Sequence, residues 1–324
     1  MKFNFKFAAA AIVVLFLSSA SLWAVGVTTP ADLLSAGRVD DAVHSLRLVV
    51  QSNPNDAEAY HLLARAYYDL RDWDQAIACG EKSVQLSPNT GRYYMWLGRA
   101  YGEKADNSSF ITAAGLVKKI KANFEKAVEL DGRNVDALSD LGEFYVEAPG
   151  MMGGGLDKAQ AIAQRIAVLD PAKAHWLYAR VAEKNKDSAT AEQEYGAAIN
   201  SSRDAAPYWL NLASFYHRQH RLDDMENAVN KAVSMPLTQT NVLYDAASLL
   251  YKSGRNFSGA VTYVRRYLAL PAQNEEAPAF EAHNLLGAIL AKQGDKAGAA
   301  TEFRASLAMA GDYKPAQDGL KRVS

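Results

Sequence analysis

Cysteine occurs once in the 324-residue chain, at Cys79. A lone cysteine excludes an internal disulfide, and its distance from the N-terminus excludes a lipid-modified cysteine at a leader cleavage site. It reads as a small helix-face residue. An excess of either charge is also missing: 35 basic residues face 36 acidic ones, for a net charge of −1. Such a chain offers no basic field for nucleic acid or for an anionic membrane. Long runs of like charge are lacking, which argues against a disordered interaction tail. The chemical signatures G-x-S-x-G and H-E-x-x-H do not occur, nor do paired carboxylates in a recognisable frame. No strand alternation competes with the helical patterns described below. What remains is 49% hydrophobic and 22% charged, the balance of an ordinary soluble chain long enough for a large core or an extended array.

The first residues differ from the rest. Lys2 and Lys6 precede an apolar run from Phe7 to Leu17, and small residues follow. A positive end, a short apolar middle and a small-residue exit form a secretory signal, so residues 1–24 are expected to be a signal peptide cut after Ala20 or Ala24. The alternative is an uncleaved N-terminal anchor, because residues 7–27 carry no charge and just reach across a bilayer. Either way the lysines stay inside and the body is expected in the periplasm or outside the cell, soluble or anchored to face the periplasm.

From residue 28 onward the chain is self-similar. In residues 57–90, Tyr60, Leu63, Ala64 and Tyr67 fall on one face of a first helix. A polar turn follows. Ala76, Gly80 and Ser83 then give a second helix a small-residue face, and Pro88 ends it. The pattern returns with Tyr94, Leu97, Gly98 and Tyr101, completed by Phe124 and Ala127. It returns again with Leu138, Leu141, Gly142 and Tyr145, with Trp209, Leu212, Ala213 and Tyr216, and with Leu286, Gly287, Leu290, Ala299, Phe303 and Ser306. Weaker units occupy 172–205 (Tyr178, Ala179, Ala191, Tyr195, Ala198) and 240–273 (Ala247, Ala260, Pro271). A partial unit opens the array, with Thr29 and Pro30 as N-cap and first position of a short helix. These residues resemble the tetratricopeptide repeat, the helix-turn-helix unit with the pattern W-x2-L-G-x2-Y…A-x3-F…P. The resemblance implies an all-α solenoid over 28–324. About eight stacked helix pairs would form a right-handed superhelix with a concave groove, covered by a C-terminal capping helix in YKPAQDGLKR.

Two units are enlarged, near 102–114 and near 147–156. The second insertion contains Gly150, Gly153, Gly154 and Gly155. A phosphate cradle requires G-x4-G-K-[ST] between a strand and a helix, but Leu156 and Asp157 stand where the lysine and hydroxyl belong, and the preceding segment is helical by period. The dinucleotide pattern fails as well, with Lys158 at its last glycine position. The glycines therefore read as an enlarged turn. Met151 and Met152 either contact a partner or only span the gap. His217 and His220 near Asp223 and Asp224 lack a third converging ligand and read as solvated turn residues. Lys118, Lys119, Lys121 and Lys126 read as an exposed face. Asn107-Ser108-Ser109 has the glycosylation form, relevant only in a eukaryotic secretory pathway.

In the family resembled, the second face of each first helix lines the concave surface. Here that face would present His61, Arg65 and Tyr68; Arg92, Trp96 and Arg99; Asp136, Asp140 and Glu143; Trp176 and Arg180; then Asn211, Ser214 and Tyr244. Arginines in two units followed by acids in the next would read a peptide of mixed charge, or would bridge neighbouring helices. His61 and Arg65 stand where a carboxylate-clamping family member needs lysine and asparagine. The resemblance implies a non-catalytic scaffold with no cofactor, no metal and no nucleic acid. It would bind proteins or peptides in envelope assembly, secretion or export, or serve as an accessory subunit of an envelope enzyme complex. Membrane contact would come only through an uncleaved N-terminus.

Overall fold

The computed structural model describes residues 29–324 apart from 237, 271 and 272. The expected leader or anchor, residues 1–24, and Pro271 lie outside the described residues. Among the described residues seventeen α-helices follow one another, the first sixteen in antiparallel pairs: α1 (Pro30–Ser35) with α2 (Val39–Ser52), α3 (Ala57–Asp69) with α4 (Trp73–Leu86), α5 (Gly91–Asp106) with α6 (Phe110–Leu130), and α7 (Val135–Glu147) with α8 (Leu156–Ala167). The second half pairs α9 (Pro171–Lys184) with α10 (Ser188–Ser201), α11 (Ala206–Arg218) with α12 (Leu222–Ser234), α13 (Val242–Ser253) with α14 (Phe257–Leu268), and α15 (Ala279–Gln293) with α16 (Lys296–Leu307). A last helix, α17 (Lys314–Val323), packs on α15 and α16. Each helix lies against its predecessor and successor, and first helices of adjacent pairs also touch, so the chain is an all-α solenoid.

Local chemistry starts these helices where the period predicts. Thr29 and Asp32 form a capping box at α1, with Pro30 in the first turn. The carboxylates of Asp56, Asp72, Asp170, Asp187 and Asp295 and the amide oxygen of Asn134 each accept a backbone N–H of the helix that follows. Each such cap satisfies a donor that the helix leaves unpaired, worth about 1 kcal/mol. The helices then close on one another through small residues. A methyl on Gly98 would lie 2.6 Å from the Phe124 ring, and one on Gly142 would lie 2.4 Å from Leu177. The residues inserted after Tyr101 lengthen helices: α5 has 16 residues and α6 has 21. The start of α6 projects with Phe110 and Ile111 80% and 84% exposed.

The solenoid turns far enough for its first unit to meet its last. The Asp40 amide donates to the Met309 carbonyl at 3.3 Å, and the Asp40 carboxylate accepts the Gly311 amide at 2.8 Å. The Ser35 hydroxyl donates to Glu275 at 2.7 Å, and the Arg65 guanidinium pairs with the same carboxylate. Gly37, at φ +70°, lies against this seam, where a methyl would come 3.0 Å from the Ala279 amide nitrogen. Burial of Glu275 works against its charged form, but the Ser35 hydroxyl and Arg65 prevail and hold its pKa below the usual value.

Candidate functional site: the concave face

Three cavities share walls along the concave side. The central one, of about 500 Å³, is lined from α3, α5 and α7 by Tyr68, Asp69, Trp96, Arg99, Glu103 and Asp140. Arg71 and Trp73 reach it from the turn before α4 and from the start of α4. Glu275, Glu276, Pro278 and Glu281 reach it from across the seam. A second cavity continues past Tyr68, Arg99, Glu103 and Asp140 to Glu143 and Glu147. A third, of about 510 Å³, shares Arg71 and extends along Tyr244, Ser248, Lys252 and Tyr313. A smaller hollow beyond it is lined by Asn211 and Ser214.

The sequence-predicted groove residues divide into three groups. Tyr68, Trp96, Arg99, Asp140, Glu143, Asn211, Ser214 and Tyr244 line these cavities. Arg65 and Arg180 form ion pairs at the groove walls: Arg65 with Glu275, and Arg180 with Glu143, Glu147 and Glu183. His61, Arg92, Asp136 and Trp176 line none of them. His61 is 3% exposed, its ring 4.7 Å from that of Tyr93 and 6.5 Å from that of Trp96. Burial, followed by the charges of Arg65 and Arg92, pushes its pKa down to about 3, so the imidazole is neutral. Arg92 is exposed and pairs with Glu58 at the helix starts. Asp136 is exposed at the start of α7.

The arginines of the concave face are largely occupied. Arg99 meets Asp140 at 2.6 Å, and Arg65 and Arg99 lie over the Trp96 ring at 4.8 and 5.0 Å. Tyr68 packs edge-on against Trp96 and Trp73, with centroids 5.4 and 5.3 Å apart. Arg92, Arg99 and Arg180 pair with carboxylates of neighbouring first helices, the bridging alternative, whereas Arg65 pairs with Glu275 across the seam. The carboxylates are less well matched. Burial pushes the pKa of Asp69, Glu103, Asp140 and Glu281 up, and for Asp140 it outweighs the adjoining Arg99.

The sequence reading missed Asp69, Arg71, Trp73, Glu103 and the whole stretch 275–281. Glu281 occupies the repeat position of Arg92 and Asp136, two before the core residue, where both of those are exposed. Only the return of the chain across the seam brings it inside.

The glycine insertion is not part of this face. It forms a 3-10 turn, Gly150–Met152, then Gly153 at φ +95° and Gly155 at φ +150°. The amides of Met152, Gly153, Gly154 and Gly155 donate to Pro149, Gly150, Pro149 and Tyr145 carbonyls. The Lys158 ammonium donates to the Gly153 and Gly154 carbonyls at 3.0 and 3.4 Å. Both the amides and the lysine that a phosphate would require are thus committed to the turn itself. Met151 stands 92% exposed.

Comparison with known proteins agrees with this architecture. Models of the tetratricopeptide repeat match residues 33–100 and 244–314. No curated protein matches the chain by sequence. Among solved structures, yeast Tom70 is 16% identical over 88% of this chain and 58% of its own, with a TM-score of 0.54. A thermophilic TPR protein of Thermus thermophilus is 21% identical over 57% of this chain and 94% of its own, with a TM-score of 0.47. Repeat models thus match both ends of the array, helix pairs run without interruption between them, and the described chain is an all-α solenoid of tetratricopeptide-repeat units.

Proposed function

We propose that this protein is a non-catalytic scaffold that holds a peptide or protein segment along its concave face. Tetratricopeptide repeats generally serve protein–protein interaction, and stacked repeats create an extended concave surface for it. The observation that carries the reading here is the series of cavities joined through Tyr68, Arg99, Glu103, Asp140 and Arg71. They follow the inner helices as an extended segment would. Arg65, Tyr68, Trp96, Arg99, Asp140, Glu143, Arg180, Asn211 and Tyr244 are its proposed contacts or contact-positioning residues. Nucleic acid is not the proposed partner, because the chain is electrically balanced and the central cavity is rich in carboxylates. The Lys2, Lys6 and Phe7–Leu17 pattern supports work outside the cytoplasm, in envelope assembly, secretion or export.

The test is site-specific photocrosslinking in the native host. A photoreactive residue at Tyr68 or Asn211 is expected to trap the same partner, and one at Val168, 85% exposed and lining none of these cavities, is expected to trap none of it. Equal yield of the same adduct from Val168 would refute concave binding.

A further inference from the structure

We propose that the central cavity takes the cationic side chain, lysine or arginine, of the segment held on the concave face. The inference rests on the concave-face reading above and gives that segment its charge. Six carboxylates line the cavity against two guanidiniums. One guanidinium, Arg99, is already committed to Asp140, and Glu275 is taken by Arg65 from the wall. The other guanidinium, Arg71, makes no ion pair among the described residues, though its charge favours the ionised forms of Glu103 and Glu281. Asp69, Glu103, Glu276 and Glu281 are left with no ion pair among the described residues. Glu281 accepts only the Tyr244 hydroxyl, at 3.2 Å, and Glu103 only that of Tyr68, at 3.4 Å. Asp69 has no hydrogen-bond partner among the described residues. Glu183 and Glu192, by contrast, each hold an arginine.

Two further features favour an organic cation over a bare ion. The cavity, at about 500 Å³, has room for a side chain and its stem. Its apolar wall is aromatic, and Trp96 already carries guanidinium groups over its ring. Trp73 lines the same cavity and carries none among the described residues. An ammonium or guanidinium between Trp73 and the unpaired carboxylates would gain both the ring quadrupole and the charge. The arrangement also has a consequence for the free protein. Burial disfavours the ionised forms of Asp69 and Glu281 and raises their pKa values, Glu281 and Glu275 add to the rise at Asp69, and Arg71 opposes it at Glu281. A built-in structural network would behave in the opposite way, since removing a member would unpair its partner.

The experiment is calorimetric titration of the folded protein with a peptide of alternating glycine and lysine, and with its glutamate and serine counterparts. The lysine peptide is expected to bind most tightly. Asp69→Asn, Glu281→Gln and the exposed Glu276→Gln are each expected to weaken it about tenfold or more. Glu129→Gln, on the exposed face of α6, is expected to leave binding unchanged. Asp69→Asn and Glu281→Gln are also expected to keep or raise the thermal midpoint. Equal binding of the three peptides, or lysine-peptide binding indifferent to all three cavity variants, overturns the proposal. Should Asp69→Asn or Glu281→Gln fold poorly, Glu276→Gln decides. Preferential binding of the serine or glutamate peptide at Tyr68 would refute the cationic inference and leave the concave-face reading standing. Failure of any segment to crosslink at Tyr68 would remove both.

Discussion

Gly154→Ala tests the account of the glycine turn. Gly154 is buried, and a methyl group there would sit 1.8 Å from the Ala148 carbonyl oxygen. The end of α7 and the turn would have to part by roughly 1 Å or more to restore van der Waals separation. Overpacking against a rigid backbone costs about 1–3 kcal/mol. The displacement also strains two bonds that close the turn, Gly154 N–H to Pro149 at 3.2 Å and Gly155 N–H to Tyr145 at 2.9 Å. With about 1 kcal/mol for the weaker of these, the expected loss is about 2–4 kcal/mol. Gly150→Ala is the control: a methyl there meets no atom within 4 Å, and the expected change is within about 0.5 kcal/mol. In urea unfolding followed by circular dichroism, Gly154→Ala should lower the midpoint by about 1 M while Gly150→Ala stays at wild type. Amide exchange should quicken in α7 and α8 before it does so in α15 and α16, because stacked units open locally. Equal midpoints for the two variants would refute the steric argument. Stabilisation of the wild-type protein by inorganic phosphate, lost in Gly154→Ala, would restore the phosphate reading.

Three other perturbations follow from particular contacts. His61 is held near pKa 3 when folded, while the unfolded chain titrates near 6.5, so stability is present above pH 6.5 and falls with pH down to about 3, by up to about 1.4 kcal/mol per unit. His61→Phe should flatten that part of the stability–pH profile, and an unchanged slope would show that His61 takes up its proton in the fold. Gly37→Ala forces a side chain into the left-handed region at about 1 kcal/mol and presses on Ala279. Distances between spin labels at Arg38 and Asp312 should therefore lengthen, whereas Gly294→Ala, equally left-handed but in open space, should leave them alone. Phe303 lies against both Gly287 and Gly319, so Phe303→Ala should cost about 3–5 kcal/mol and expose α17 to amide exchange and proteolysis, read by mass spectrometry.

The helices and their pairing were legible because each is set by nearby residues: apolar period, capping side chain and a small residue at the crossing. The burial of His61 was legible in principle. It stands one position after the core aromatic, and its counterparts Met95, Ser139 and Leu210 are 7%, 5% and 7% exposed. Two of these four positions hold an apolar residue, Met95 and Leu210, and a third the small Ser139, which signals the packing of one first helix on the next. The exposed position of Arg92 also had a periodic signal, since Asp136 shares its register and both are exposed. By the same register rule Glu281 should be solvated, yet it faces the central cavity. The partner of Arg65 is 210 positions away. No local pattern encodes that distance. It depends on the small rotation from each unit to the next, summed over the whole array.

That sum gives the ends of the array a relation that a repeat protein ordinarily lacks. In an open solenoid each unit feels only its neighbours, and the two end units unfold independently of one another. Here Glu275 binds Ser35 and Arg65 across the seam while it lines the cavity with Asp69 and Glu281. Opening the seam would carry Glu275, Glu276 and Glu281 away from Asp69 and relieve their repulsion. Repulsion between Asp69 and Glu281 therefore works against closure, and the Asp40, Ser35 and Arg65 contacts, with the attraction of Arg71 for Glu281, work for it. A cation placed among those carboxylates would add attraction across the seam, so it would bind the closed form more tightly than the open one. By thermodynamic reciprocity, whatever tightens the seam then tightens binding by the same factor. Gly37→Ala should accordingly weaken the lysine peptide although Gly37 touches none of the cavity's carboxylates, and equal affinity in that variant would show that seam and cavity are uncoupled.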